Sequence, residues 1–305
     1  STELVKQLCP KAYAGFVNAL LRNAARNKDE ILKEIENLPG TFGLSVRYSV
    51  PEWTVKLWQK DYGCAEKILD ALCTEVPHLT LRVNTMKISA DELCTHFDKS
   101  LRAAVTSQSN ITVSSSASVK ELYGYNEGLF FVQDTASTLV SSLINRDVFK
   151  TQKPIIADTC SCPGGKSFSA AINLADECEI HSYDLHANRL KLVSDGAKRL
   201  GLKSISVKAA DGRTGDPELF GKADAAICDV PCSGLGVIAK KPDIRYKDLS
   251  DIERLPEVQL AILKTSANYV KRGGFIVYST CTLRNAENND VVNAFLSENG
   301  DFELC

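Results

Sequence analysis

Thirteen residues leave this chain few folds to choose from: Ile155-Ile156-Ala157-Asp158-Thr159-Cys160-Ser161-Cys162-Pro163-Gly164-Gly165-Lys166-Ser167. Short apolar residues run into Asp158, a cramped turn with Pro163, Gly164 and Gly165 follows, and the helix-compatible run 168–174 comes next. That order reads as strand, tight loop, helix. In an open α/β sheet, ligands bind beyond the carboxyl ends of the strands, at turns of this kind. Glycine there lets the backbone approach a ligand, and a helix start offers N–H groups without intrahelical partners.

Spacing weighs against two other readings of the turn. A phosphate-binding loop ends as Gly165-Lys166-Ser167 does, but its first glycine would fall on Cys160. The dinucleotide fingerprint Gly-x-Gly-x-x-Gly is absent. A purely structural turn is disfavoured by the acidic residues placed downstream.

Residues 136–305 alternate strand and helix. Candidate strands are 155–158, 179–183, 204–208, 224–228 and 274–279, with helices near 165–175, 187–200, 251–271 and 286–298. Such alternation predicts a largely parallel sheet covered on both faces. Ahead of it, 1–48 reads as helical, with Phe16, Val17, Leu20, Leu21 and Ala24 at helical spacing and Leu38-Pro39-Gly40 as a breaker. Residues 49–135 read as a small α+β unit. Pro51 opens a helix whose Trp53 and Trp58 are assigned to core, and Leu79, Leu81 and Val83 alternate as a strand. Ser89 with Glu92 forms a capping box, 103–120 is strand plus loop, 129–132 is a strand, and Asp134 caps a helix over 135–143.

Bulk charge is close to neutral, −2 over 305 residues, so any nucleic-acid site must come from local clusters. No apolar run approaches the ~20 residues that span a bilayer, so no membrane partner is expected. Eleven cysteines, an odd number without a small-scaffold framework, fit free thiols in a reducing compartment, and a cytoplasmic location is expected.

Each of the first four strands carries a carboxylate at or near its C-terminal end: Asp158, Asp184, Asp211 and Asp229. An acid after the second strand can accept both hydroxyls of a ribose. Four acids along one edge would repel a polyphosphate. S-adenosylmethionine, with its sulfonium and ammonium cations, suits the edge better than ATP or NAD.

Two cysteines follow the neighbouring fourth and fifth strands, in Asp229-Val230-Pro231-Cys232-Ser233-Gly234 and Tyr278-Ser279-Thr280-Cys281-Thr282. They are either two small buried residues or two thiols facing one cleft. Zinc held by Cys160, Cys162, Cys228 and Cys232 is disfavoured, because C-x-C and C-x-x-x-C are not the usual ligand spacing. No metal is expected.

These residues bring the chain to a known family. It resembles the RNA cytosine-5 methyltransferases of the bacterial Sun/RsmB type, related to the eukaryotic Nop2/Sun enzymes. The resemblance rests on Arg82-Val83-Asn84 with Lys87, Phe131-Val132-Gln133-Asp134, Asp158 to Lys166, Asp229 to Gly234, Lys241-Pro242-Asp243-Ile244, and Gly273-Gly274 leading to Ser279-Thr280-Cys281-Thr282. It implies a Rossmann-like, S-adenosylmethionine-dependent methyltransferase domain over 136–305. A small α+β RNA-contacting domain over 49–135 and the end of a NusB-like helical domain over 1–48 would precede it.

The resemblance also implies roles. Cys160, Ser161, Cys162, Pro163, Gly164, Gly165 and Lys166 would wrap the methionine part of the donor. Asp184 would hold the ribose, Asp211 would lie against the adenine, and Arg189 would stand near the cofactor. Asp229 would contact the target cytosine, Cys281 would be the nucleophile, and Cys232 would assist release. DNA cytosine-5 methyltransferases use the cysteine of a Pro-Cys pair, here Pro231-Cys232, which leaves a rival nucleophile. Lys240, Lys241, Arg245 and Lys247 read as a phosphate clamp for RNA or as an ordinary solvated loop. The expected substrate is small-subunit ribosomal RNA and the expected state a monomer. An inactive RNA-binding assembly factor with the same fold is the alternative.

Two departures stand out. Ser161 and Cys162 occupy positions that are alanine in most family members, and the family's final antiparallel strand, after one near 302–304, is not reached before Cys305. A chain opening on Ser1 with a short helical domain is expected to be part of a longer protein.

Overall fold

Proline and glycine punctuate the first 75 residues. Helices α1 (Thr2–Leu8), α2 (Ala12–Arg26) and α3 (Lys28–Glu36) come before Leu38-Pro39, and α4 (Gly40–Tyr48) starts directly after. Pro51 stands at the cap of α5 (Glu52–Tyr62), and α6 (Ala65–Cys73) closes the series. The computed structural model describes residues 2–10, 12–74, 77–114 and 118–305. It divides into two compact units, 1–75 and 76–305. Helices α5 and α6 group with the preceding helices, and the small sheet groups with the large one. Trp58 is wholly buried, whereas Trp53 is half-buried.

The second unit opens with a four-stranded antiparallel sheet: β1 (Leu79–Val83), β2 (Ala104–Ser107), β3 (Asn110–Val113) and β4 (Phe130–Val132), in the order β2-β3-β1-β4. Leu81, Val83, Ile111 and Phe130 pack it against Leu93 of α7 (Ala90–Thr95). Positions 115–117 of the expected strand-plus-loop stretch lie outside the described residues. Ser89 accepts the Glu92 N–H at 3.2 Å, which is one half of the expected capping box. Asp134 precedes α8 (Thr135–Ser142) but makes no side-chain cap; its carboxylate pairs with Lys240 instead, because an ammonium is the stronger partner.

The large sheet has five parallel strands: β5 (Ile155–Asp158), β6 (Glu179–Asp184), β7 (Ile205–Ala209), β8 (Ala223–Asp229) and β9 (Val270–Ser279). Their order is β7-β6-β5-β8-β9. Alternation along β5 sets its two faces. Ile156 joins Ile180, Ile227 and Phe168, where α9 (Gly165–Asn173) and α10 (Ala187–Leu200) pack. Ala157 joins Tyr183, Ala226 and Tyr269 on the other side. Each fully buried aliphatic side chain of this kind contributes about 1.5–3 kcal/mol.

The long helix expected over 251–271 is two. Pro256 lies in the first turn of α12 (Leu255–Tyr269), and a short α11 (Leu249–Ile252) precedes it. Helix α13 (Asn289–Glu298) follows a 3₁₀ turn over Asn285–Glu287. The expected strand near 302–304 does not form: the Phe302 N–H closes a turn on Asn299 and its ring packs on Phe295.

Candidate active site at the carboxyl edge of the large sheet

The turn after β5 is locked from beneath. Asp158 is wholly buried and accepts from Ser167 Oγ at 2.6 Å, and Ser182 Oγ lies 2.8 Å from the same hydroxyl. Burial pushes the Asp158 carboxyl up to about 7, with Ser167 opposing. The first of the four edge acids is therefore a brace for the loop and not a surface group. Gly164 has φ +112°, and a Cβ there would fall 2.3 Å from the Phe168 ring. Ser161 is tied to the Tyr183 carbonyl through its N–H at 2.8 Å and its Oγ at 3.0 Å. Just past β4, Gln133 Nε2 donates to the Gly165 carbonyl at 3.0 Å and its Oε1 accepts from Ser169 at 2.7 Å.

A donor nucleoside meets suitable partners at this edge. Gly164 supplies no side-chain cap to α9, so the first-turn N–H groups are left for an anion such as an amino-acid carboxylate. Asp184, at the end of β6, accepts the His186 N–H at 3.0 Å and keeps Oδ2 3.8 Å from Arg189 Nη1. Asp211, two residues past β7, is forked by Arg213 at 2.6–3.1 Å, which holds its carboxyl below the ordinary range. The donor set fits S-adenosylmethionine: acids for the cationic amino acid and the ribose, and no cluster of cations for phosphates. Burial pushes the Cys162 thiol up to about 12 and raises that of Cys160 further.

The other half of the edge holds the two thiols. Strands β8 and β9 run in register, with Asp229 opposite Ser279, so their loops leave the sheet at one level. Cys232 Sγ and Cys281 Sγ come within 3.1 Å, and the Cys281 N–H points at Cys232 Sγ at 3.3 Å. Both cysteines are free, and Cys281 is exposed. The hydrogen bond from Cys232 pulls the Cys281 thiol down to about 7, helped by Lys241 and Lys166 and opposed by desolvation and Asp229. The same hydrogen bond, together with burial, raises Cys232. Either sulfur can donate across the 3.1 Å contact, and the opposite directions of the two shifts make Cys281 the more acidic thiol of the pair. Asp229 accepts from Ser279 Oγ at 2.7 Å and pairs with Lys166 Nζ at 2.5 Å.

The predicted residues do not all gather as expected. The Lys166 ammonium, assigned to the donor loop, reaches across to Asp229. Of the basic cluster, Lys240 pairs with Asp134 and Lys247 donates to the Ser233 carbonyl at 3.0 Å. Arg245 is half-buried and Lys241 is exposed. Arg213 was not singled out by the sequence, and Ser167, Ser279 and Gln133 lie within its motifs without a role assigned to them. Among the described residues, no three His, Cys, Asp or Glu side chains converge as a metal-ligand set, and no helix is long and apolar enough to cross a membrane.

A five-stranded parallel sheet of this order, with a glycine turn after its first strand and an acid after its second, defines a Rossmann-like methyltransferase. Comparison with known proteins narrows the class. Family models match residues 149–305 as 16S rRNA methyltransferase RsmB/F and residues 50–119 as the RsmF/B-like ferredoxin-like domain. The chain belongs to the 16S rRNA methyltransferase RsmB/F family.

It is 37% identical to the probable ribosomal RNA small subunit methyltransferase B of Bacillus subtilis (strain 168), over 99% of this chain and 68% of that protein. It is 31% identical to the ribosomal RNA small subunit methyltransferase B of Escherichia coli O1:K1 / APEC, over 95% of this chain and 66% of that protein. The chain thus spans about two thirds of the length of these relatives. Among solved structures, NSun6 from Pyrococcus horikoshii with SFG superposes with a TM-score of 0.72 at 22% identity, over 82% of this chain and 88% of that one. A methyltransferase homolog from the same organism gives 0.71 at 23% identity, over 86% and 83%. At those identities the structures speak for the fold.

Proposed function

We propose that this protein methylates carbon 5 of a cytosine in 16S ribosomal RNA through a transient bond between Cys281 and carbon 6 of the ring. The observation that carries the reading is the sulfur pair: an exposed thiol pulled down to about 7 lies 3.1 Å from a second free thiol within hydrogen-bond reach. Carbon 5 of cytosine is a poor nucleophile. Addition of the Cys281 thiolate to carbon 6 turns the ring into an enamine whose carbon 5 is nucleophilic. S-adenosylmethionine supplies an electrophilic methyl group.

Asp229, oriented by Ser279 and Lys166, accepts from an N3–H of the pyrimidine, so that the proton taken up at N3 neutralises the charge developing there as the thiolate adds to carbon 6. A solvent water takes the carbon 5 proton, the 5,6 double bond re-forms as the carbon 6–sulfur bond breaks, Cys281 leaves as a thiolate, and the Cys232 S–H stabilises that leaving group. The loop 160–165 takes the methionine part, Asp184 and Arg189 the ribose side, and Asp211 the adenine. RNA enters past Lys241, an exposed cation of the basic segment. It follows the open cleft of about 620 Å³ lined by Leu79, Val132, Asp134 and Lys240.

Nucleoside mass spectrometry of 16S RNA treated with the protein is expected to show 5-methylcytidine. Cys232→Ala is expected to accumulate a protein–RNA adduct on a denaturing gel. An adduct in Cys281→Ala and none in Cys232→Ala would reverse the assignment.

A further inference from the structure

The two sulfurs meet because their loops are gripped from behind. We propose that Glu287 and Asn288 are positioning residues that fix the spacing of Cys232 and Cys281 and so set the reactivity of Cys281. The inference rests on the nucleophile assignment made above.

Glu287 is wholly buried at the end of the 3₁₀ turn after β9. Its Oε2 accepts from the Ser233 N–H at 2.8 Å, next to Cys232, and from Gln259 Nε2 at 2.9 Å. The same Gln259 nitrogen donates to the Pro231 carbonyl at 2.9 Å, on the other side of Cys232. Gln259 leaves its own Oε1 buried without a partner, so its orientation is held by its donor side. Arg284 Nη1 approaches the second Glu287 oxygen at 3.5 Å. Ser233, Gln259 and Arg284 all turn donors towards the carboxylate, so an acceptor on both oxygens suits the site.

Asn288 grips the other loop. Its Oδ1 accepts from Thr280 Oγ1 at 2.6 Å and its Nδ2 donates to the Thr282 carbonyl at 3.1 Å, on either side of Cys281. Ser233 Oγ and Thr282 Oγ1, 2.6 Å apart, join the two loops directly. Two consecutive side chains therefore hold the neighbours of both cysteines. The hydrogen bond between the sulfurs tolerates little slack, because sulfur is a weak donor and acceptor and its contribution falls quickly with distance.

Glu287→Gln keeps the shape but must turn an N–H₂ towards at least one donor. The test is the pH–rate profile of Cys281 alkylation by iodoacetamide, followed by peptide mass spectrometry on the full chain, with S-adenosylmethionine affinity measured by calorimetry on the same samples. Glu287→Gln is expected to move the alkylation midpoint upward, slowing alkylation at pH 7 by about tenfold. Turnover should fall by about 10–100-fold, the scale of a misplaced reacting group, with donor affinity unchanged. Asn288→Asp, which replaces the N–H₂ that donates to the Thr282 carbonyl by a repelling oxygen, should do the same and decides the matter if Glu287→Gln does not fold.

An unchanged midpoint in the folded variants would overturn the proposal. So would a loss of donor affinity in step with alkylation, which would mark the two residues as general scaffold. Alkylation needs no RNA, so it reads the positioning role even if the methylated atom proves not to be cytosine carbon 5.

Discussion

The carboxyl edge of the large sheet has two halves built from similar residues for opposite ends. Around β5, β6 and β7 stand Cys160, Cys162, Asp184 and Asp211. Around β8 and β9 stand Asp229, Cys232 and Cys281. In the first half burial with nearby Asp184 pushes the Cys162 thiol up to about 12. In the second half a thiol partner and two lysines pull Cys281 down to about 7. Residue type therefore does not decide which cysteine reacts; the neighbouring loop does. The acids show the same contrast. Asp184 keeps one oxygen 3.8 Å from its nearest cation, whereas Asp229 is held directly by Lys166.

If the halves work separately, each can be broken alone. The largest effect is expected from Cys281→Ala: methyl transfer should fall by at least ~10³-fold, as for loss of a nucleophile elsewhere, while donor binding by calorimetry stays at the parent value. Next comes the thiol contrast itself. At pH 7, iodoacetamide should label Cys281 about 10²–10³-fold faster than Cys162, after allowing for the greater intrinsic nucleophilicity of the less acidic thiolate. Labelling of Cys281 should rise with pH through about 7 and then level off, because the thiolate reacts and its fraction grows as pH passes the thiol's value. Asp184→Ala should weaken donor binding by about 10–100-fold through loss of one or two charge-assisted bonds, with the labelling profile of Cys281 unchanged. A shift of that profile in Asp184→Ala would join the halves into one coupled site.

Much of the fold was legible because β5 and β8 are apolar on both faces, and such runs bounded by glycine and acidic residues announce a parallel sheet. The meeting of Cys232 with Cys281 was also legible, since their strands were expected as neighbours. What stayed hidden is direction. Asp158, Asp184, Asp211 and Asp229 look alike in sequence, yet Asp158 turns inward to Ser167. Lys166 and Asp229 are 63 positions apart and Lys240 and Asp134 are 106 apart, so neither pairing has a local signal. Asp134 looked like a helix cap for the same reason: its short-range role was visible and its long-range partner was not. Pro256 divides a helix that the apolar periodicity reads as continuous.

The most direct test uses RNA in which the target base is 5-fluorocytosine. Fluorine takes the place of the proton whose loss releases the enzyme, so the adduct is trapped. Digestion and mass spectrometry should then find the nucleotide on the peptide that contains Cys281. A nucleotide on the peptide of Cys232, or a methylated product formed with no trapped adduct, would contradict the mechanism.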